Sequence, residues 1–238
     1  MVANPIFDLK NNRDKRSVSS CMDFLWCGDG EVTPEDIAFL GFDCETTGLD
    51  ADVHSLIQIG LVAFTSDYTP VAYFESVVLE SFALERYRGG KVSQKVRKMH
   101  SANGLWNKLE SIEDAGGEYR TEYTPKRVEQ RAIAWLEDLG IADKRLPMLG
   151  SSVTFDRKFL DNYMPDLHRK FHYRSVDASS VVTVASHAAG VDEASVKTLA
   201  DENRKGPEDH TSVSDILTSA ANIVAAVGVI RSTADNSY

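Results

Sequence analysis

Three apolar runs of strand length stand out after residue 36, at residues 37–42, 56–64 and 71–79. Turn residues separate them: Thr47 and Gly48 before the second, Ser66, Asp67 and Pro70 before the third. Runs of this length bounded by turn signals predict β-strands, and connections this short predict an antiparallel meander. Helical signals follow. Residues 92–100 predict a short helix. Thr124 and Pro125 read as an N-cap followed by proline at the first helical position. Val128, Ala132, Trp135, Leu136 and Leu139 then share one face at helical spacing, and Gly140 ends the run. A short strand is predicted at 146–149, and helices at 155–163, 178–187, 194–202 and 212–230. Gly89-Gly90 and residues 114–123 read as surface loops, and no internal repeat is present. Strands first, then helices alternating with further strands, predict an α/β fold with a mixed sheet covered by helices.

Composition narrows this picture. The chain has 238 residues, 42% hydrophobic and 26% charged, the balance of a globular protein able to bury a core without staples. One domain over residues 35–238 with an extension at 1–34 is the expected organisation. The extension mixes four basic residues (Lys10, Arg13, Lys15, Arg16) with five acidic ones and lacks clear periodicity. A mobile segment is expected there, and the charge mixture weighs against a nucleic-acid-binding arm. Lys and Arg total 26 against 36 Asp and Glu, a net charge of −10. That excess argues against coating long nucleic acid by charge alone, and leaves a local site open. Cys21, Cys27 and Cys44 fit neither a disulfide framework nor a common zinc spacing, so a reducing, cytoplasmic setting is expected. No unbroken apolar stretch of about 18 residues is present, so no membrane span is expected. Without an apolar signal core near residue 1, secretion is not expected.

Candidate chemistry is concentrated in three segments. Asp43 and Glu45 lie at i and i+2 at a strand end, so both carboxylates point to one face. Two such charges repel unless a cation lies between them, and hard oxygen ligands suit Mg²⁺ or Mn²⁺. Asp156 falls in the first turn of a helix that follows an apolar strand and a Gly150-Ser151 turn. His210 lies on a polar loop entering the last helix, with Asp215 about one turn in. Cys44, between the two strand carboxylates, points to the opposite face. Each segment alone also has a structural reading: a solvated strand end, a residue favoured by the helix dipole, an exposed loop histidine.

Together, Asp43-Cys44-Glu45-Thr46-Thr47-Gly48, then Phe155-Asp156, then His210 and Asp215 resemble the DnaQ-like 3′–5′ exonucleases. That resemblance implies an RNase H-like fold with four acidic metal ligands, a histidine base and two divalent ions, Mg²⁺ or Mn²⁺. Within that superfamily the chain is most similar to oligoribonucleases. The similarity is carried by Met99-His100-Ser101-Ala102-Asn103-Gly104-Leu105, by residues 159–165 and by His172-Tyr173-Arg174-Ser175-Val176-Asp177-Ala178-Ser179. It implies a homodimer in which Tyr173, Arg174 and Ser179 hold the 5′ phosphate of a short single-stranded RNA, with Ser152 and Leu49 lining the pocket. Arg174 suits phosphate because guanidinium offers a bidentate fork. Two departures are visible. Lys95 stands where that branch carries a tryptophan, and residues 42–47 are closer to the general exonuclease form. The expected activity is release of nucleoside 5′-monophosphates from the 3′ end of short RNA. A DNA-directed exonuclease is the alternative, and a catalytically silent binding module a remote one.

Overall fold

The computed structural model describes residues 23–24, 32–203 and 211–235. The expected mobile extension therefore lies outside the described residues, apart from residues 23–24 and 32–34. Among the described residues, six strands form one sheet: β1 (Asp23–Phe24), β2 (Ile37–Thr46), β3 (Leu56–Thr65), β4 (Pro70–Val77), β5 (Met148–Gly150) and β6 (Ser175–Asp177), in the order β1-β4-β3-β2-β5-β6. β2, β3 and β4 make the antiparallel meander expected from their short turns. β5 and β6 add parallel strands beside β2. The sheet is thus mixed and flanked by helices, the RNase H-like arrangement.

Helices α1 (Ala83–Arg88), α2 (Gln94–Ala102), α3 (Leu105–Ala115), α4 (Gly117–Thr121) and α5 (Pro125–Asp138) fill the long connection between β4 and β5. After β5 come α6 (Val153–Tyr163) and α7 (Pro165–His168), and after β6 come α8 (Ala178–Ala189), α9 (Glu193–Asn203) and α10 (Ser212–Asp235). One face of the sheet buries Phe42, Cys44 and Leu61 against Trp135 of α5 and Phe159 of α6. The other buries Val62, Phe64 and Leu149 against Ile216 and Ile223 of α10. Each large side chain so buried contributes about 1.5–3 kcal/mol. A third cluster joins Ile57 and Val77 to Leu84, Leu105, Trp106 and Leu109 from α1 and α3.

One expectation is corrected and two features are added. Residues 114–123 are not an open loop: they hold the end of α3 and the single turn of α4, bounded by Gly116 and Gly117 at positive φ. α1, α3 and β6 were not anticipated, since β6 has only three residues and no apolar run. Finally, Ser212–Ala234 of α10 is long and apolar enough, by length and composition, to cross a bilayer. Thr218, Ser219 and Asn222 interrupt the apolar run, and the aliphatic residues around them keep its average high. Val213, Ile216, Ala220, Ile223 and Ala226 of this helix are buried within the fold.

Candidate active site

Alternation along β2 sends Leu40, Phe42 and Cys44 toward α5 and α6, and Phe39, Gly41, Asp43 and Glu45 toward α10. Gly60 lies opposite Asp43 on β3. A Cβ at Gly60 would stand 2.8 Å from the Cβ of Ser212 and 2.9 Å from the Val213 nitrogen, and one at Gly41 would collide with Ile216. These two bare positions let the start of α10 lie directly on the sheet. Asp215, in the first turn of α10, thereby reaches β2. Asp43, Glu45 and Asp215 each offer a carboxylate oxygen within 4.8 Å of the other two. Glu75, across from Gly60 on β4, accepts the Val213 N–H at 3.4 Å and so holds the same helix start.

Asp156 approaches from α6 and is buried. Its Oδ1 accepts from the Cys44 backbone N–H at 3.1 Å and from the Cys44 thiol at 3.3 Å. Cys44 does face away from Asp43 and Glu45, as alternation requires, and its thiol finds a carboxylate there. Asp156 stands outside the 4.8 Å group, yet its charge raises the pKa of both Asp43 and Glu45. The four act as one electrostatic unit. Burial, then the charges of Asp156, Glu45 and Asp215, hold Asp43 well above the usual carboxylate range. Burial, then Asp215, Asp156 and Glu75, pushes Glu45 up to about 8. Burial takes Asp156 to about 7, against the Cys44 hydrogen bonds that pull it down. Such a cluster of hard, mutually repelling oxygen donors fits a divalent cation, which would relieve the repulsion and replace the lost hydration.

The expected histidine base, His210, lies outside the described residues. Another histidine was missed. His100 of α2 is fully buried; its Nε2 lies 3.0 Å from the Thr46 carbonyl, and its Nδ1 is 3.7 Å from Glu45. Burial lowers its pKa, so the neutral ring donates from Nε2 and turns Nδ1 toward the carboxylate. It sits on the apolar face of α2, the one signal that would have placed it inside.

The sequence profile of the RNase_T exonuclease family matches residues 40–222, a span that includes all four carboxylates. The chain belongs to this family. It is similar to the oligoribonuclease of Tropheryma whipplei (strain Twist), 29% identical over 197 residues, 81% of this chain and 92% of that protein. It is also similar to the oligoribonuclease of Leifsonia xyli subsp. xyli (strain CTCB07), 33% identical over 145 residues, 60% of this chain and 63% of that protein. Among solved structures, E. coli exonuclease I in complex with a 5cy-dA13 oligonucleotide is 16% identical with a TM-score of 0.41, over 77% of this chain and 39% of that one. RNase_T exonucleases depend on divalent metal, and the donor set of this member suits that requirement.

The residues expected to hold substrate in this exonuclease fall in two places. Ser152 and Ser179 lie near the carboxylate end of the sheet, where Asp177 joins their two helices. One oxygen of Asp177 accepts the Val153 N–H of α6 at 3.0 Å, and the other accepts the Ser180 N–H of α8 at 3.1 Å. Asp177 thus caps both α8 and α6. Ser152 is held in the left-handed region (φ 57°), uncommon for a non-glycine residue. Tyr173 and Arg174 are exposed at the entry to β6, the far end from the carboxylates, with the guanidinium 5.5 Å from the Tyr173 ring centroid. They are not brought to the carboxylates within one chain. Leu49, just beyond β2, is 84% exposed. His54 packs its ring against Gly48, closing the loop after β2.

Proposed function

We propose that this exonuclease is a divalent-metal-dependent 3′–5′ exoribonuclease that removes nucleoside 5′-monophosphates from short oligonucleotides. The observation that carries the reading is the convergence of Asp43, Glu45 and Asp215 within 4.8 Å, with Asp156 electrostatically joined to them. Similarity to oligoribonucleases supports RNA as the substrate. In this reading Asp43, Glu45, Asp156 and Asp215 hold two ions, Mg²⁺ or Mn²⁺. When bound, such ions activate a water and neutralise charge on the departing oxygen.

The chain supplies the rest. Both Cys44 bonds fall on Oδ1 of Asp156, which leaves Oδ2 for a cation. His210, as general base, takes the proton of the attacking water as the new O–P bond forms. The bond from phosphorus to the 3′ oxygen breaks, and that oxygen leaves on the shortened chain and is protonated by solvent. Leu49, Ser152 and Ser179 line the pocket. Tyr173 and Arg174 lie away from the carboxylates of their own chain, in keeping with a homodimer in which they serve the second copy. The reading places the enzyme in the cytoplasm.

Asp156→Ala should abolish hydrolysis while leaving circular dichroism unchanged. Wild-type turnover by the purified variant would refute the assignment. RNA and DNA oligomers of matched sequence, two to twenty nucleotides long and assayed with Mn²⁺, test the substrate. Preference for long DNA would replace the ribonuclease reading with the DNA-directed one.

A further inference from the structure

The α1–α2 segment stands apart in charge. Residues 83–104 carry six basic side chains (Arg86, Arg88, Lys91, Lys95, Arg97 and Lys98) and one acidic, Glu85, in a chain of net −10. Two of the six are engaged: Arg88 pairs with Glu110 and Glu113, and Arg97 lies 4.4 Å over the Tyr87 ring. Lys91, Lys95 and Lys98 are exposed and form no ion pair among the described residues. Most lysines elsewhere in the fold differ: Lys126, Lys144, Lys170 and Lys197 each have a carboxylate partner.

The helical period sets their direction. Val96 and His100, four apart, face the core. Lys95 and Lys98, three apart, share the opposite ridge, and Lys91 is exposed just before the helix. α2 is also fixed to the carboxylates, because His100 meets the Thr46 carbonyl at 3.0 Å and stands 3.7 Å from Glu45. Lys95 and Lys98 therefore lie on the far side of α2 from Glu45, at least one helix diameter, roughly 10 Å, away. Cations left without partners at that distance attract a polyanion emerging from the site.

We propose that Lys91, Lys95 and Lys98 form a docking ridge for the phosphodiester backbone of a single-stranded oligonucleotide, 5′ of the nucleotide held at the carboxylates. The inference rests on the exonuclease reading above and extends it to substrate length: several nucleotides are held better than two. Ammonium groups take phosphates as point charges and read no base, so the ridge is sequence-tolerant.

The test separates docking from turnover. A labelled seven-nucleotide RNA is bound to the Asp156→Ala protein, with and without Lys91→Gln, Lys95→Gln and Lys98→Gln, and anisotropy is read across a salt series at constant Mn²⁺. Three lost phosphate contacts on a single strand should flatten the slope of log K against log[salt] by about 2. Affinity for the seven-mer should fall about tenfold at low salt, and affinity for a dinucleotide less than twofold. Equal slopes and equal seven-mer affinities in the two proteins would overturn the ridge. Turnover of the same RNAs by the wild-type protein reports on the exonuclease reading separately: a wild-type protein that hydrolyses neither would sink that reading, while the binding series still decides the ridge.

Discussion

Replacing Glu45 with glutamine should stabilise the metal-free protein at alkaline pH and leave it unchanged in acid. Glu45 is buried, and burial plus the charges of Asp215, Asp156 and Glu75 raise its pKa from 4.5 to about 8. Between those values the folded protein holds a proton that the unfolded chain has lost. Stability therefore falls as pH rises through this window. At 1.36 kcal/mol per pH unit the full fall is about 5 kcal/mol. Asp43 and Asp156 take up protons over an overlapping range, so the share removed with Glu45 alone is on the order of 2 kcal/mol. For a chain of this size that is a rise in Tm of roughly 4–8 °C. Thermal unfolding in a chelating buffer from pH 4.5 to 9 measures it, wild type beside Glu45→Gln. The two curves should meet near pH 4.5 and separate up to pH 8. Mn²⁺ should reverse the order, because only the wild type retains the full ligand set. A Tm difference independent of pH, or a variant less stable than wild type at pH 8 without metal, would refute the electrostatic account.

Gly60→Ala places a Cβ within 2.9 Å of the backbone at Ser212 and Val213, so the start of α10 must shift away from the sheet. Mn²⁺ affinity by calorimetry should fall at least tenfold with the circular dichroism preserved; unchanged affinity would show that Asp215 does not depend on this contact. Asp177→Ala removes caps from two helices at once and should cost about 2 kcal/mol in urea unfolding, whereas a cost near zero would mean neither bond holds in solution. The apparent affinity for Mn²⁺ should climb steadily from pH 6 to about 8, since Asp156, near 7, and Glu45, near 8, must shed protons to bind it. A pH-independent affinity would contradict those values.

What was legible in the chain follows from how local each rule is. Strand alternation is a two-residue rule, so the shared face of Asp43 and Glu45 and the opposite face of Cys44 could be read directly. The meander followed from turn residues, and the start of α10 from the polar loop before it. The partners across space could not be read this way. Nothing near Cys44 announces that its thiol will meet a carboxylate 112 residues away. Gly60 sits within an apolar strand, and its purpose is visible only once α10 lies on it. β6 is too short to show a period, and α10 was underestimated because an unbroken apolar run is a stricter test than an average. His100 belongs to the 99–105 segment, yet its burial depends on Trp106 and Thr46 closing around it.

The four carboxylates of the site come from β2, α6 and α10, and Asp43 and Asp215 are separated by 172 positions in the chain. No shorter stretch of the polypeptide contains a complete set. While the chain is still being synthesised, the segments that hold Asp43, Glu45 and Asp156 emerge before the one that holds Asp215. The set is thus incomplete while the chain is still on the ribosome, beside the RNA that encodes it. It closes only when α10 settles onto the two bare glycine positions of the sheet.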